Sequence, residues 1–146
     1  SSDLAVKYSV VARKNPMSPE APKKYYAQAQ AAGETSLELM AKRIERLCTV
    51  TRPDILAVLA GLQITVIDAL ENGEIARLGD LGCLQVSVSS YPAVTEKDYS
   101  TEKIRKAKIN YRPSSELKDM LKTLNYEQVS KLPVKEKKKE ELTAGE

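Results

Sequence analysis

The sequence predicts an α+β protein, and three observations carry that prediction. Apolar residues recur at helical spacing from Leu37 to Leu70. The period then switches to two, with Leu84, Val86 and Val88 on one side and Gln85, Ser87 and Ser89 on the other, and alternation returns over 106–112. Between the helical and alternating parts lies a glycine-punctuated run, Gly73-Glu74-Ile75-Ala76-Arg77-Leu78-Gly79-Asp80-Leu81-Gly82. At 146 residues the chain suits one compact domain plus tails. Its hydrophobic content of 42% permits a core, which must be aliphatic because Phe and Trp are absent.

The elements follow in order. Residues 5–12, Ala-Val-Lys-Tyr-Ser-Val-Val-Ala, read as a strand rich in β-branched and aromatic side chains. Arg13 to Pro22 holds three prolines and reads as a turn. Lys23 to Ala29 returns as a strand through Tyr25 and Tyr26, although the Ala-Gln repeat at 27–32 also suits a helix. Thr35-Ser36-Leu37-Glu38 matches a capping box and opens a first helix over about 36–48. Thr51-Arg52-Pro53-Asp54 starts a second helix, whose stripe of Ile55, Leu59, Leu62, Val66 and Leu70 ends at Asn72-Gly73. Two helices joined by a few residues resemble a helix-turn-helix, but a β-arm follows, so the pair reads as a base for dimerisation. Asp80-Leu81, bracketed by Gly79 and Gly82, forms a tight turn before the period-two strand. Residues 91–103 form a polar arm, and Ile104 to Arg112 the return strand. Pro113-Ser114-Ser115 opens a last helix with Leu117, Met120, Leu121 and Leu124 inward. Three regions result: a β extension over 1–34, a domain over 35–126 and a disordered mixed-charge tail over 127–146.

Composition excludes several function classes. With no His, no nucleophile elbow, no phosphate-cradling glycine loop and no paired-cysteine spacing, nothing supports catalysis, a metal or a cofactor. Cys48 and Cys83 read as free thiols of a reducing compartment. No apolar run approaches the roughly 20 residues of a membrane span, and Ser1-Ser2-Asp3-Leu4 lacks the apolar stretch of a signal peptide. The net charge of +3 permits a nucleic-acid partner, and its distribution matters more than its sum.

The return strand concentrates that charge. Lys103, Arg105, Lys106, Lys108 and Arg112 occur with no acid among them, and alternation lines up Lys106, Lys108 and Arg112 on one face. Such a row suits a phosphate backbone, where each neutralised phosphate releases counterions. It also suits a lysine-protected edge strand. Arg13 and Lys14, beside Asn15-Pro16 at the first hairpin's tip, form a second cationic point.

Over about 35–124 the chain resembles the bacterial histone-like HU/IHF family, closest to the N-terminally extended HU-like proteins of the Bacteroides group. The matching residues are Asn72-Gly73-Glu74, Leu78-Gly79-Asp80-Leu81-Gly82-Cys83-Leu84-Gln85-Val86, Tyr111-Arg112-Pro113 where the family has Phe-Lys-Pro, and Leu117-Lys118. Glu96, Asp98 and Glu102 occupy the arm where that family carries Arg-Asn-Pro, and Ser114-Ser115 replaces a typical Gly-Lys. The resemblance implies an HU/IHF-like fold: a helical dimer base, β-hairpin arms and a short C-terminal helix. The N-terminal β-hairpin is an addition to it. It further implies a cytoplasmic, nucleoid-associated homodimer that binds and bends double-stranded DNA through the minor groove with little sequence preference, without small-molecule substrate or membrane. Lys106, Lys108 and Arg112 would then face phosphates. Ser114, Ser115 and Lys118 would meet phosphate at the last helix's N-terminus. The Asn15-Pro16 hairpin, which ordinary HU lacks, prompts a separate expectation: Arg13 and Lys14 take over part of the arm's work. The competing expectation is an HU-like protein-interaction module with weak or no DNA affinity, in which the Val-Val-Ala strand adds to a partner's sheet.

Overall fold

The computed structural model describes residues 4–130. Its elements are β1 (Val6–Arg13), β2 (Lys24–Gln30), α1 (Leu37–Glu45), α2 (Arg52–Glu71), β3 (Ala76–Arg77), β4 (Cys83–Ser90), β5 (Ile104–Arg112), α3 (Ser115–Leu121) and β6 (Tyr126–Gln128). They fall into two compact units. Among the described residues, one holds 4–34 together with 124–130; the other runs from Thr35 to Thr123.

The first unit is a three-stranded sheet of order β2-β1-β6. β1 and β2 pair antiparallel in an unbroken register from Lys7 opposite Gln30 to Arg13 opposite Lys24. The Ala-Gln repeat therefore settles as strand up to Gln30. β6 runs parallel to β1, with Val6 opposite Tyr126 and Tyr8 opposite Gln128. Bonds from the Val6 N–H to the Asn125 carbonyl (2.8 Å) and from the Val129 N–H to the Tyr8 carbonyl (2.8 Å) extend that pairing. The expectation that the chain is a tail from residue 127 is corrected here: Glu127 and Gln128 find hydrogen-bond partners on β1. The remainder of the expected tail, 131–146, lies outside the described residues. One face of this sheet carries Tyr8, Val10, Ala12, Tyr25, Ala27 and Ala29; the other carries Lys7, Ser9, Val11, Arg13, Lys24 and Tyr26. Ser9 is buried, and its hydroxyl accepts from the Gln30 side-chain amide at 2.9 Å, as a buried polar group requires.

The second unit begins with a helix pair. The N-cap of α1 is Ser36, whose hydroxyl accepts from the Leu39 N–H at 3.1 Å. This moves the start one residue past the expected capping box, because Leu39 rather than Glu38 then occupies the third helical position. The helix also ends early, at Glu45, where Leu47 N–H turns back to the Ile44 carbonyl. α2 starts after Thr51, whose hydroxyl donates to Asp54, and has Pro53 in its first turn, where a missing N–H costs nothing. It closes on Gly73 at φ 75°: the Gly73 N–H bonds the Leu70 carbonyl and the Glu74 N–H bonds the Ala69 carbonyl. That double closure satisfies two orphan carbonyls and needs a left-handed residue.

α2 is apolar around nearly its whole circumference. By length and composition it would suffice to cross a membrane, with 20 residues and an 18-residue stretch of mean hydropathy 1.6. This corrects the expectation that no stretch approaches such a span. Its charges sit at the ends, at Arg52, Asp54, Asp68 and Glu71. The charge-free stretch Ile55–Ile67 extends roughly 20 Å at 1.5 Å per residue, against a hydrocarbon core of roughly 30 Å. Within its own unit α2 packs against α1 on one side, and its later turns approach the apolar face of the second sheet. There Ile67, Leu70, Val86 and Ile109 line a common apolar cavity. Among the described residues the buried apolar ones are nonetheless few, namely Ala41, Ile55 and Ala76. Val58, Ile64 and Ile67 on α2 stay more than half exposed.

Candidate nucleic-acid interface

The second sheet, of order β3-β4-β5, is antiparallel throughout. Its register sorts the side chains into two faces. Ala76, Leu84 and Tyr111 share one level, followed by Val86 with Ile109 and Val88 with Ala107; this is the apolar face. The opposite face carries Arg77, Cys83 and Arg112 on one level, then Gln85 with Asn110, Ser87 with Lys108 and Ser89 with Lys106. Directly opposed residues point to the same side of a sheet, so four cations share a face with amides, hydroxyls and a thiol. No acid stands on it.

Three of these cations, Lys106, Lys108 and Arg112, are the row expected from alternation. Arg77 is an addition. It sits in a two-residue strand within the glycine-punctuated run, and only its pairing with Cys83 brings it beside Arg112. Arg105 departs from the row. The register shifts between Ser89, opposite Lys106, and Ser90, opposite Ile104, so Arg105 is the extra residue of a bulge. Lys103 lies beyond the ladder, in a short turn over Thr101–Lys103.

The glycine turn anchors this face. Gly82 adopts φ 101°, and a Cβ there would lie 2.1 Å from the Arg112 carbonyl oxygen, so only glycine lets β5 approach so closely. The Tyr111 hydroxyl donates to the Leu81 carbonyl at 2.7 Å, and the Ser114 hydroxyl donates to the Asp80 carbonyl. Ser114 is also the N-cap of α3 and accepts from the Leu117 N–H at 3.2 Å. Its hydroxyl is therefore committed to joining α3 to the turn. Ser115 and Lys118 lie in the same helix and are exposed.

The arm past Ser90 is compact. The Tyr91 N–H bonds the Lys103 carbonyl at 2.8 Å and closes the base of the tip. Inside it the Thr95 hydroxyl donates to Asp98 at 2.8 Å and caps a one-turn helix over Glu96–Asp98. The Ser90 and Tyr99 hydroxyls are hydrogen-bonded to each other. Glu96, Asp98 and Glu102 thus stand at the tip, away from the cationic row. Arg13 and Lys14 belong to the other unit, at the end of the β1–β2 hairpin.

A helix pair followed by a three-stranded sheet with a polar, cationic outer face and a short C-terminal helix defines an HU-like α+β domain. Residues 4–128 match the family described as an HU domain fused to a winged helix-turn-helix, immunoglobulin or glycine-rich motif, and the chain belongs to that family. Its structure is similar to the crystal structure of a protein from Bacteroides vulgatus described as a candidate bacterial DNA-binding protein, with a TM-score of 0.62 and 13% identity. The match covers 91% of this chain and 52% of the other, so the chain spans about half the length of that protein. At this identity the likeness is one of fold. Comparison with curated proteins finds no match.

Proposed function

We propose that this chain is a histone-like protein that binds and bends double-stranded DNA as a homodimer, largely without sequence preference. One observation carries the reading: the outer face of the β3-β4-β5 sheet holds Arg77, Lys106, Lys108 and Arg112 with no acid, while Val86 and Ile109 of the inner face meet α2. A row of cations on a rigid ladder matches a phosphate backbone and carries no base code. Lys103 and Arg105 extend the charge toward the tip. Ser115 and Lys118 add a hydroxyl and a cation near the α3 N-terminus, and Ser114 holds that helix in place. Neutralising phosphates along one side of a duplex leaves repulsion on the other, which favours bending toward the protein. The family's own name and the description of the Bacteroides vulgatus protein support the same partner. They also support an intracellular place at the nucleoid.

The exposed apolar surface of α2 supports the homodimer. A helix apolar all round is a buried helix, yet only Ile55 of α2 is buried by its own chain. Val58, Ile64 and Ile67 point in different directions around the helix, so a second copy that wraps around α2 covers them. With about four contacts per protomer, a dimer makes about eight, and its affinity falls by roughly 10⁴ between 50 and 200 mM salt. Fluorescence anisotropy of a random-sequence 30-base-pair duplex at both salts tests this. An interaction module is the second reading, and the acidic tip of Glu96, Asp98 and Glu102 favours it. It predicts no duplex binding at micromolar protein in low salt.

A further inference from the structure

Among the described residues two basic segments stand out, one in each unit, and the proposed DNA reading uses only the one on β5. The other is residues 13–24. It contains four of the chain's 23 basic residues and one of its 20 acidic ones, so it carries a net +3, equal to that of the whole chain, while the remaining 19 bases and 19 acids balance.

The structure gathers these charges at one point. Arg13 and Lys24 are the last opposed pair of the β1–β2 ladder. Side chains directly opposed across an antiparallel pair have Cβ atoms about 5 Å apart, and like charges there are destabilising. Lys14 and Lys23 flank the pair in sequence. None of the four makes an ion pair among the described residues. The loop between the strands is closed by two successive turns, with Ser18 N–H on the Asn15 carbonyl at 3.1 Å and Ala21 N–H on the Ser18 carbonyl at 3.0 Å. The Asn15 side chain accepts from the Met17 N–H at 3.0 Å and stiffens the same corner. Arg13, Lys14, Asn15, Lys24 and Tyr26 line an open cavity of about 440 Å³ at this end of the sheet. Tyr26 shares the sheet face of Arg13 and Lys24, and its hydroxyl makes no hydrogen bond among the described residues.

We propose that this hairpin end is a second phosphodiester-binding site for duplex DNA. Arg13, Lys14 and Lys24 neutralise backbone phosphates, and the Tyr26 hydroxyl donates to a phosphate oxygen. The opposed like charges are a standing electrostatic cost that an anion removes. The inference rests on the DNA reading of the β5 face and adds a second module to it. Two modules on one chain convert the second contact into an intramolecular one, which raises avidity without strengthening either site.

Hydrogen exchange of the full chain, with and without the 30-base-pair duplex at 50 mM salt, tests the site separately from the arm. The wild type should show slowed exchange over both 13–24 and 83–112. Arg13→Gln/Lys24→Gln should lose the slowing over 13–24 alone, keep or raise Tm, and lower the salt slope by about 1.8 per protomer. Lys106→Glu/Lys108→Glu should keep it over 13–24. Slowing over 83–112 with none over 13–24 in the wild type overturns this site and leaves the arm reading standing. Slowing over 13–24 alone overturns the arm reading and leaves this site. No slowing anywhere at micromolar protein overturns both.

Discussion

Truncating Val58 and Ile64 to Ala should break the proposed dimer without harming the fold of the protomer. The two side chains are 69% and 63% exposed on the isolated chain. Ile to Ala removes three carbons and Val to Ala removes two, each worth about 0.8 kcal/mol when fully buried. Scaled by the exposed fractions, the loss of interface burial is about 2.6 kcal/mol per protomer. A two-fold interface counts it twice, giving about 5 kcal/mol, or three to four decades in the dimer Kd. Ala has a higher helix propensity than either residue it replaces, so α2 itself gains slightly. Sedimentation velocity across a concentration series reads the effect directly. If assembly and folding are coupled, the same loss shows as a steeper dependence of Tm on protein concentration. A wild type that stays monomeric at tens of micromolar, or a variant that dimerises as tightly as the wild type, refutes the reasoning.

Three further outcomes separate charge, backbone and capping effects. Lys106→Gln/Lys108→Gln removes about four phosphate contacts per dimer and should lower the salt slope by about 3.6, with Tm unchanged because both side chains are exposed; anisotropy at several salts measures it. Gly82→Ala places a methyl group against the Arg112 carbonyl at a positive φ, and chemical denaturation should show a loss of more than about 2 kcal/mol. Ser114→Ala removes the α3 cap and its bond to the Asp80 carbonyl, and should cost about 1–2 kcal/mol of stability with little change in low-salt DNA affinity; an affinity loss without a Tm shift would instead make Ser114 a direct DNA contact.

Much of the second unit is legible in the residues because its signals are local. Ser36 caps α1, Asn72-Gly73 ends α2, and Gly79 and Gly82 bound the turn, each by a requirement on one backbone position. Alternation over 106–112 correctly places Lys106, Lys108 and Arg112 on one face, since side-chain direction in a strand has a period of two. What escapes the sequence is set by pairing at a distance. Arg77 joins the cationic face only through the register of β3 with Cys83. Arg105 leaves it through a bulge that nothing in Ile104-Arg105-Lys106 announces. Tyr126-Glu127-Gln128 has no strand pattern of its own and becomes β6 because β1 offers an open edge more than a hundred residues away in the chain. Lys24 gains its meaning only when the ladder sets it opposite Arg13.

The most direct test of the central claim is the anisotropy titration of the random-sequence 30-base-pair duplex at 50 and 200 mM salt. The account predicts tight binding at the lower salt that weakens by roughly 10⁴ at the higher one, as about eight neutralised phosphates require. Binding that is absent at micromolar protein in 50 mM salt, or that is insensitive to salt, contradicts a cationic sheet face that grips the DNA backbone.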